Sequence, residues 1–238
     1  MHAVADLNTE SRGSLRKRLL LLLPILVALF FYALSGQLAQ HAAKVWIVKF
    51  PLDDQIPFVR WFIFPYFYWY LYSYGTIVLL LALRGVGRNY RRFVLSMTVT
   101  LVVAIVIFLT FPTHVPRPLV EGNDLAARMV RMTYGIDPPY SCLPSIHVAF
   151  SVLTFLELDV LLRRGLSSSL LLRTALCAAN AASALLICMA TLFVKQHFSP
   201  DVISGIGIAV AARLLVMAMM RRSENRSGIG KTKTEAPR

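Results

Sequence analysis

His197 and Asp201 stand four residues apart in the segment Lys195-Gln196-His197-Phe198-Ser199-Pro200-Asp201, and a second histidine closes the segment Pro144-Ser145-Ile146-His147. Arg117 lies between two prolines in Pro116-Arg117-Pro118. Chemistry at phosphorus needs a nucleophile, a proton donor for the leaving group and positive charge for the transition state, and these residue types supply all three. If a helix begins at His197, the four-residue spacing puts Asp201 on the same face. The carboxylate then accepts a hydrogen bond from one ring nitrogen, fixing the tautomer, and the other nitrogen is left to attack. His147 remains to protonate the departing oxygen and afterwards to activate the water that breaks a phosphohistidine. The expectation is double displacement, with His147, His197 and Asp201 as catalytic residues.

The prolines say where these residues sit. Pro144 and Pro200 are tolerated in a first helical turn, where no intrahelical N–H is required, so both histidines fall at helix starts. Unpaired N–H groups and the positive end of the helix dipole favour an anion there. Ser145 adds a hydroxyl donor, Arg117 a fork matched to two phosphate oxygens, and Lys195 a point charge. Arg117, Ser145 and Lys195 are therefore the expected phosphate-binding residues. Neither a carboxylate cluster suited to magnesium nor a cysteine-histidine set suited to zinc stands in these segments, so no metal or other cofactor is expected. Of the cysteines, Cys177 and Cys188 lie within an apolar run and Cys142 stands alone, which gives no disulfide framework. Taken singly, each site residue has an ordinary reading: a hydrogen-bonded interfacial histidine, an arginine anchor, a snorkelling lysine, an aspartate cap. Two histidines, one aspartate and two cations on one membrane face are harder to assign to structure alone, because ionisable groups near lipid are costly.

The elements that must carry them are membrane helices. The chain has 238 residues, of which 57% are hydrophobic and 16% charged, outside the soluble range. Its apolar residues gather into six runs, at about Leu19 to Ala39, Trp61 to Leu83, Phe93 to Pro112, Pro144 to Leu162, Leu170 to Val194 and Phe198 to Met220. Each is near the roughly 20 helical residues that cross a bilayer core. The expected fold is all-α, a polytopic membrane bundle of six transmembrane helices. Residues 1–18 form a basic leader, 19–220 the catalytic membrane domain, and 221–238 a disordered basic tail. The net charge of +13 comes from basic residues concentrated where runs end, notably Arg16 to Arg18, Arg84 to Arg92, Arg163 to Arg173 and Arg221 onward. With six spans these segments share one side. The positive-inside rule then makes both termini cytoplasmic and turns all three motif segments toward a periplasm, exterior or lumen. The same distribution argues against nucleic acid as a partner and for a bilayer and a lipid phosphate. A cleaved signal peptide would also explain Arg16 to Arg18, but the first apolar run exceeds a signal core, so the span is expected to be retained.

These residues resemble the phosphatidic acid phosphatase type 2 superfamily, which carries three motifs in this order at equivalent helix ends. Its second motif, usually Pro-Ser-Gly-His, is similar to Pro144-Ser145-Ile146-His147, and its third, His-x-x-x-Asp, to His197 through Asp201. The resemblance covers roughly Phe111 to Gly205. It implies a six-helix core, no metal requirement, His197 as nucleophile oriented by Asp201, and His147 as acid. The first motif keeps Arg117-Pro118, but the lysine expected upstream falls at Thr110, and the usual Ser-Arg pair of the third falls at Ala190-Thr191. Two phosphate-binding cations are thus missing from their usual places, and Lys195 could stand in for one. Ile146 in place of glycine, and the pair Gln196-His197, look closer to the inositol phosphorylceramide synthase and sphingomyelin synthase branch, which moves a phospho-headgroup to a lipid alcohol.

Hydrolysis by a lipid phosphatase is the leading expectation, with transfer to an alcohol on the same scaffold as the alternative. An organic-anion transporter would also place cations at helix ends, but it calls for broken helices in related halves, and no repeat is visible. A serine protease would have to use Ser145, a weak candidate. Finally, Glu157, Asp159 and Arg213 lie deep in the fourth and sixth runs, and the expectation is that Arg213 pairs with Glu157 or Asp159 near the cytoplasmic end.

Overall fold

The computed structural model describes residues 12–164 and 169–234. The leader expected over 1–18 lies outside them as far as residue 11, and the last four residues of the expected tail lie outside them as well. The chain is all-α: α1 Arg12–Leu20, α2 Leu22–Ala39, α3 Ile63–Ala82, α4 Gly87–Thr110, α5 Leu125–Ile136, α6 Ile146–Arg163, α7 Leu170–Phe193 and α8 Ser199–Thr234. The single-residue break at Leu21 has a cause in Pro24, whose ring would meet the Leu20 carbonyl in an unbroken helix. At the other end, α8 runs to Thr234.

Four segments are long and apolar enough to cross a membrane: Leu15–Ala39, Gly87–Thr110, Leu170–Phe193 and Ser199–Arg226. The protein is an integral membrane protein. Helices α3 and α6 complete the bundle with shorter, more polar sequences: α3 is dense in tyrosine and α6 holds Glu157, Asp159 and Arg163. The inner members are α6 and α4. α6 packs against α3, α4, α7 and α8, and α4 against α2, α3, α6 and α8. Phe93, Met97, Leu101, Phe150 and Leu153 fill the seam between them, while Leu71, Val78, Val106 and Leu214 face outward, as lipid-facing residues would.

Lipid is as apolar as leucine, so burial of apolar surface holds such helices together weakly, and polar contacts matter more. The main one is a fully buried carboxylate. Glu157 of α6 accepts from Arg213 of α8 (2.8 Å), from both Nε and Nη2 of Arg92 of α4 (3.0 and 2.6 Å), and from Asn89 of α4 (2.6 Å). The expected link between α6 and α8 is therefore present, and it goes through Glu157. Asp159 pairs instead with Arg163 one turn on, at 2.7 Å. A second polar bridge joins three helices higher up: the Tyr72 hydroxyl of α3 donates to Asn180 Oδ1 of α7 (2.7 Å), and Asn180 Nδ2 donates to the Phe155 carbonyl of α6 (3.0 Å).

The segment from Arg117 to Ser141, read from sequence as a polar break, holds the amphipathic helix α5. Asp124 caps it by accepting from the Ala127 amide at 3.0 Å, and Ala126, Ala127, Val130 and Thr133 form its buried face. The Arg60–Asp124 ion pair (3.0 Å) fastens its start to the turn before α3.

Removing Glu157 leaves two buried arginines uncompensated, so Glu157→Ala should cost about 3–5 kcal/mol. Thermal unfolding in detergent of Glu157→Gln, Arg213→Gln and the double variant should be strongly non-additive, with the second substitution adding little to the first. Additive losses would mean the pair is not coupled.

Candidate active site

All three motif segments come together at one end of the bundle, opposite to the Glu157 network. Arg117 follows α4, His147 lies in the first turn of α6, and His197 sits just before α8. Ser145 is the N-cap of α6, its hydroxyl accepting from the Val148 amide at 3.3 Å. Its own amide donates to the Asp201 carbonyl at 3.0 Å, which locks the two helix starts together. Closeness here depends on Gly205. A Cβ at that position would stand 2.6 Å from the Ser145 carbonyl oxygen and 3.2 Å from Val148 Cβ.

His197 and Asp201 are paired, but α8 begins at Ser199, so His197 precedes the helix and the contact is made across its start, not along a helical face. Nδ1 of His197 lies 3.3 Å from Asp201 Oδ2, and the same oxygen accepts from the Phe198 amide at 2.9 Å. Asp201 thus orients the imidazole and caps α8. Both are buried, at 7% and 1% exposure. With Nδ1 donating to the carboxylate, Nε2 carries the lone pair. The His147 ring centroid lies 5.9 Å from that of His197, so both rings can reach one tetrahedral group. His147 is held between Trp69 (4.3 Å) and Tyr66 (4.5 Å) of α3, and its Nε2 has no hydrogen-bond partner among the described residues.

Arg117 is clamped. Nη1 donates to the carbonyls of Asp137 (2.7 Å) and Tyr134 (3.1 Å), Nη2 to Gln196 Oε1 (2.5 Å), and the guanidinium lies over the Tyr134 ring at 4.6 Å. Its Nε is unpartnered among the described residues. Gln196, next to the nucleophile candidate in sequence, thereby ties the first motif to the third.

Lys195 lies beside the loop that precedes α3. Its ammonium donates to the carbonyls of Ile56 (2.5 Å) and Asp53 (3.3 Å), fastening the loop before α3. Burial lowers its pKa, and Asp53 and Asp54 oppose that shift. Its φ of 53° is the left-handed turn that ends α7, a position glycine usually takes. The same loop carries a residue that sequence reasoning missed. Asp53, 2% exposed, accepts from the Ser199 amide (2.7 Å) and hydroxyl (2.6 Å) through Oδ1, and from the Phe50 amide (2.8 Å) through Oδ2. It caps α8 from 146 residues away in sequence, so no local pattern could have announced it. Tyr66 and Trp69 were equally hidden within a run of membrane aromatics.

Two histidines near helix starts thus stand beside an arginine at one end of an apolar bundle. The model of the PAP2 superfamily matches residues 43–215, and the chain belongs to that superfamily. No curated protein sequence matches it. Among solved structures, LpxE of Aquifex aeolicus is similar at 17% identity and a TM-score of 0.44, over 80% of this chain and 94% of that one.

Gly205→Ala places an atom against a backbone oxygen that no side-chain rotation can clear. It should lower stability by about 1–3 kcal/mol, measured as thermal unfolding in detergent. An unchanged melting temperature would show that the helices separate freely at this point.

Proposed function

We propose that the protein hydrolyses the phosphate or diphosphate of a lipid at the non-cytoplasmic face of the membrane, through a phosphohistidine on His197. The observation that carries this reading is the buried His197–Asp201 pair with the His147 ring 5.9 Å away. Nε2 of His197 attacks phosphorus. The phosphorus–oxygen bond to the lipid breaks as His147 delivers a proton to the leaving oxygen. His147 then takes a proton from water, whose oxygen bonds phosphorus as the phosphorus–nitrogen bond breaks, and inorganic phosphate leaves. Developing charge on the phosphoryl oxygens falls to the first-turn amides of α6, the Ser145 hydroxyl hydrogen and Arg117. Lys195 takes a positioning role in this scheme, through the loop that bears Asp53.

The proposed topology has six spans, α3 and α6 included, with both termini cytoplasmic. The Arg-rich ends Arg84 to Arg92 and Arg221 to Arg226 support it, because they lie at the end of the bundle opposite the histidines. Transfer to an alcohol is the second reading. It is favoured by a cavity of about 310 Å³ beside His147, which could hold an acceptor in place of water.

Incubating purified protein with a panel of 32P-labelled lipid phosphates and quenching in alkali should trap an acid-labile phosphohistidine. His197→Ala should abolish the label and turnover while the protein stays folded; label persisting on another residue would sink the assignment. Asp201→Asn should lose about 10²–10⁴-fold in kcat, since it orients and does not attack. Turnover is also expected to persist in chelator, because Arg117 and helix amides neutralise the phosphate; recovery of lost activity by one added divalent ion would overturn that.

A further inference from the structure

Each of the three motif segments holds one buried side-chain nitrogen with no hydrogen-bond partner among the described residues: Nε of Arg117, Nε2 of His147 and Nε2 of Gln196. The mechanism above uses the first two residues. It gives no task to the nitrogen of Gln196, a residue that is 2% exposed and directly precedes His197. A buried donor left without an acceptor is costly, so such a group inside a site points to a partner that arrives with the substrate.

Which end of the Gln196 amide is unpartnered follows from its neighbour. A guanidinium offers donors only, so the amide atom that meets Arg117 Nη2 at 2.5 Å is the oxygen, and the nitrogen keeps both of its hydrogens. That bond also draws electron density from the amide and strengthens its N–H groups as donors. Arg117 meanwhile spends Nη1 on the Asp137 and Tyr134 carbonyls, which leaves Nε as its own unpartnered nitrogen among the described residues. The backbone fixes the rest. The amides of Gln196 and His197 both donate to the Thr191 carbonyl, at 3.0 and 3.2 Å, so both side chains issue from one turn at the end of α7.

Within the phosphoryl chemistry proposed above, on which this step rests, we infer that Gln196 is a phosphate-binding residue, with Nε2 donating to a non-bridging oxygen of the phosphoryl group that His197 attacks. Nε of Arg117, Nε2 of Gln196 and, in that mechanism, the proton on His147 all call for acceptors. A water in their midst would have to donate as well as accept, whereas the oxygens of a phosphate dianion only accept. Gln196 then has two tasks: its oxygen steadies Arg117, and its nitrogen takes part of the charge that develops on the phosphoryl oxygens.

Inorganic phosphate, the product of that chemistry, serves as the probe, and neither turnover nor a covalent intermediate is needed to read it. Gln37, Gln40, Gln55 and Gln196 are the glutamines of the chain. In full-length protein labelled with 15N-glutamine, the Gln196 side-chain resonance is assigned by its absence from Gln196→Met and followed during a phosphate titration, while equilibrium dialysis with 32P-labelled phosphate gives the affinity. One of its amide proton resonances should move downfield and saturate at the concentration at which phosphate binds. Gln196→Met, which loses the donor, and Gln196→Glu, which loses the donor but keeps an oxygen for Arg117, should each remain folded and raise the half-saturating phosphate concentration about tenfold or more. Phosphate binding with the Gln196 resonance unmoved, or binding to Gln196→Met as tight as to the wild type, would overturn the role of Gln196 and leave the phosphoryl reading standing. Failure of the wild type to bind phosphate would overturn both.

Discussion

Two helix N-termini lie side by side at one end of this molecule, joined by the bond from the Ser145 amide to the Asp201 carbonyl, and each brings a positive dipole end. The protein treats the two ends differently. At α8, Asp201 takes the Phe198 amide and Asp53 takes the Ser199 amide, so that end is neutralised by two buried carboxylates. At α6 the cap is the uncharged Ser145. The unneutralised positive potential is therefore concentrated around α6 and Arg117. In the proposed mechanism this is the useful division: the imidazole of His197 needs a negative partner to hold its tautomer, and the phosphoryl group needs positive potential, offered by the start of α6 and by Arg117, whose Nε is unpartnered among the described residues.

The same pair of helices is fixed at the opposite end. Glu157 accepts four hydrogen bonds from three side chains, and Arg213 brings α8 to α6 there. Within an apolar solvent neither a carboxylate nor two arginines can be left unmatched, so this network specifies which helices must meet and at what height. Fixed below by charge and above by the Gly205 contact, α6 and α8 have little freedom to move the histidines apart.

Between them, the loop before α3 acts as a third brace. Lys195 holds its carbonyls, Asp53 returns from it to cap α8, and Arg60 carries it on to α5 through Asp124. In the PAP2 superfamily pattern two cations are absent from their usual positions here, and the remaining lysine is committed to this brace. Arg117 is left as the site's cationic side chain in the mechanism proposed, held flat by Tyr134, Asp137 and Gln196. Such clamping limits its motion at little entropic cost once the fold is formed.

What was legible in the sequence was local or periodic. Apolar runs gave the helices, Pro144 and Pro200 marked the helix starts near both histidines, and the four-residue step named the His197–Asp201 pair, although His197 precedes α8 and the contact is made by the capping turn and not by a helical face. The partner of Arg213 could be narrowed to two acids by depth, since charge in lipid demands one. Choosing Glu157 over Asp159 was a matter of which helix face turns inward, and that depends on packing against α4. Arg92 and Asn89, Asp53, the Gly205 approach and the tyrosine cavity have the same origin: each is a contact between segments remote in the chain. The helix α5 escaped because a short amphipathic segment in a polar stretch gains its order from the surface it covers. The charge of Lys195 could be read from the sequence but its contacts with the Ile56 and Asp53 carbonyls could not, because a lysine's charge is fixed by its type but the direction of its long side chain is fixed only by what surrounds it.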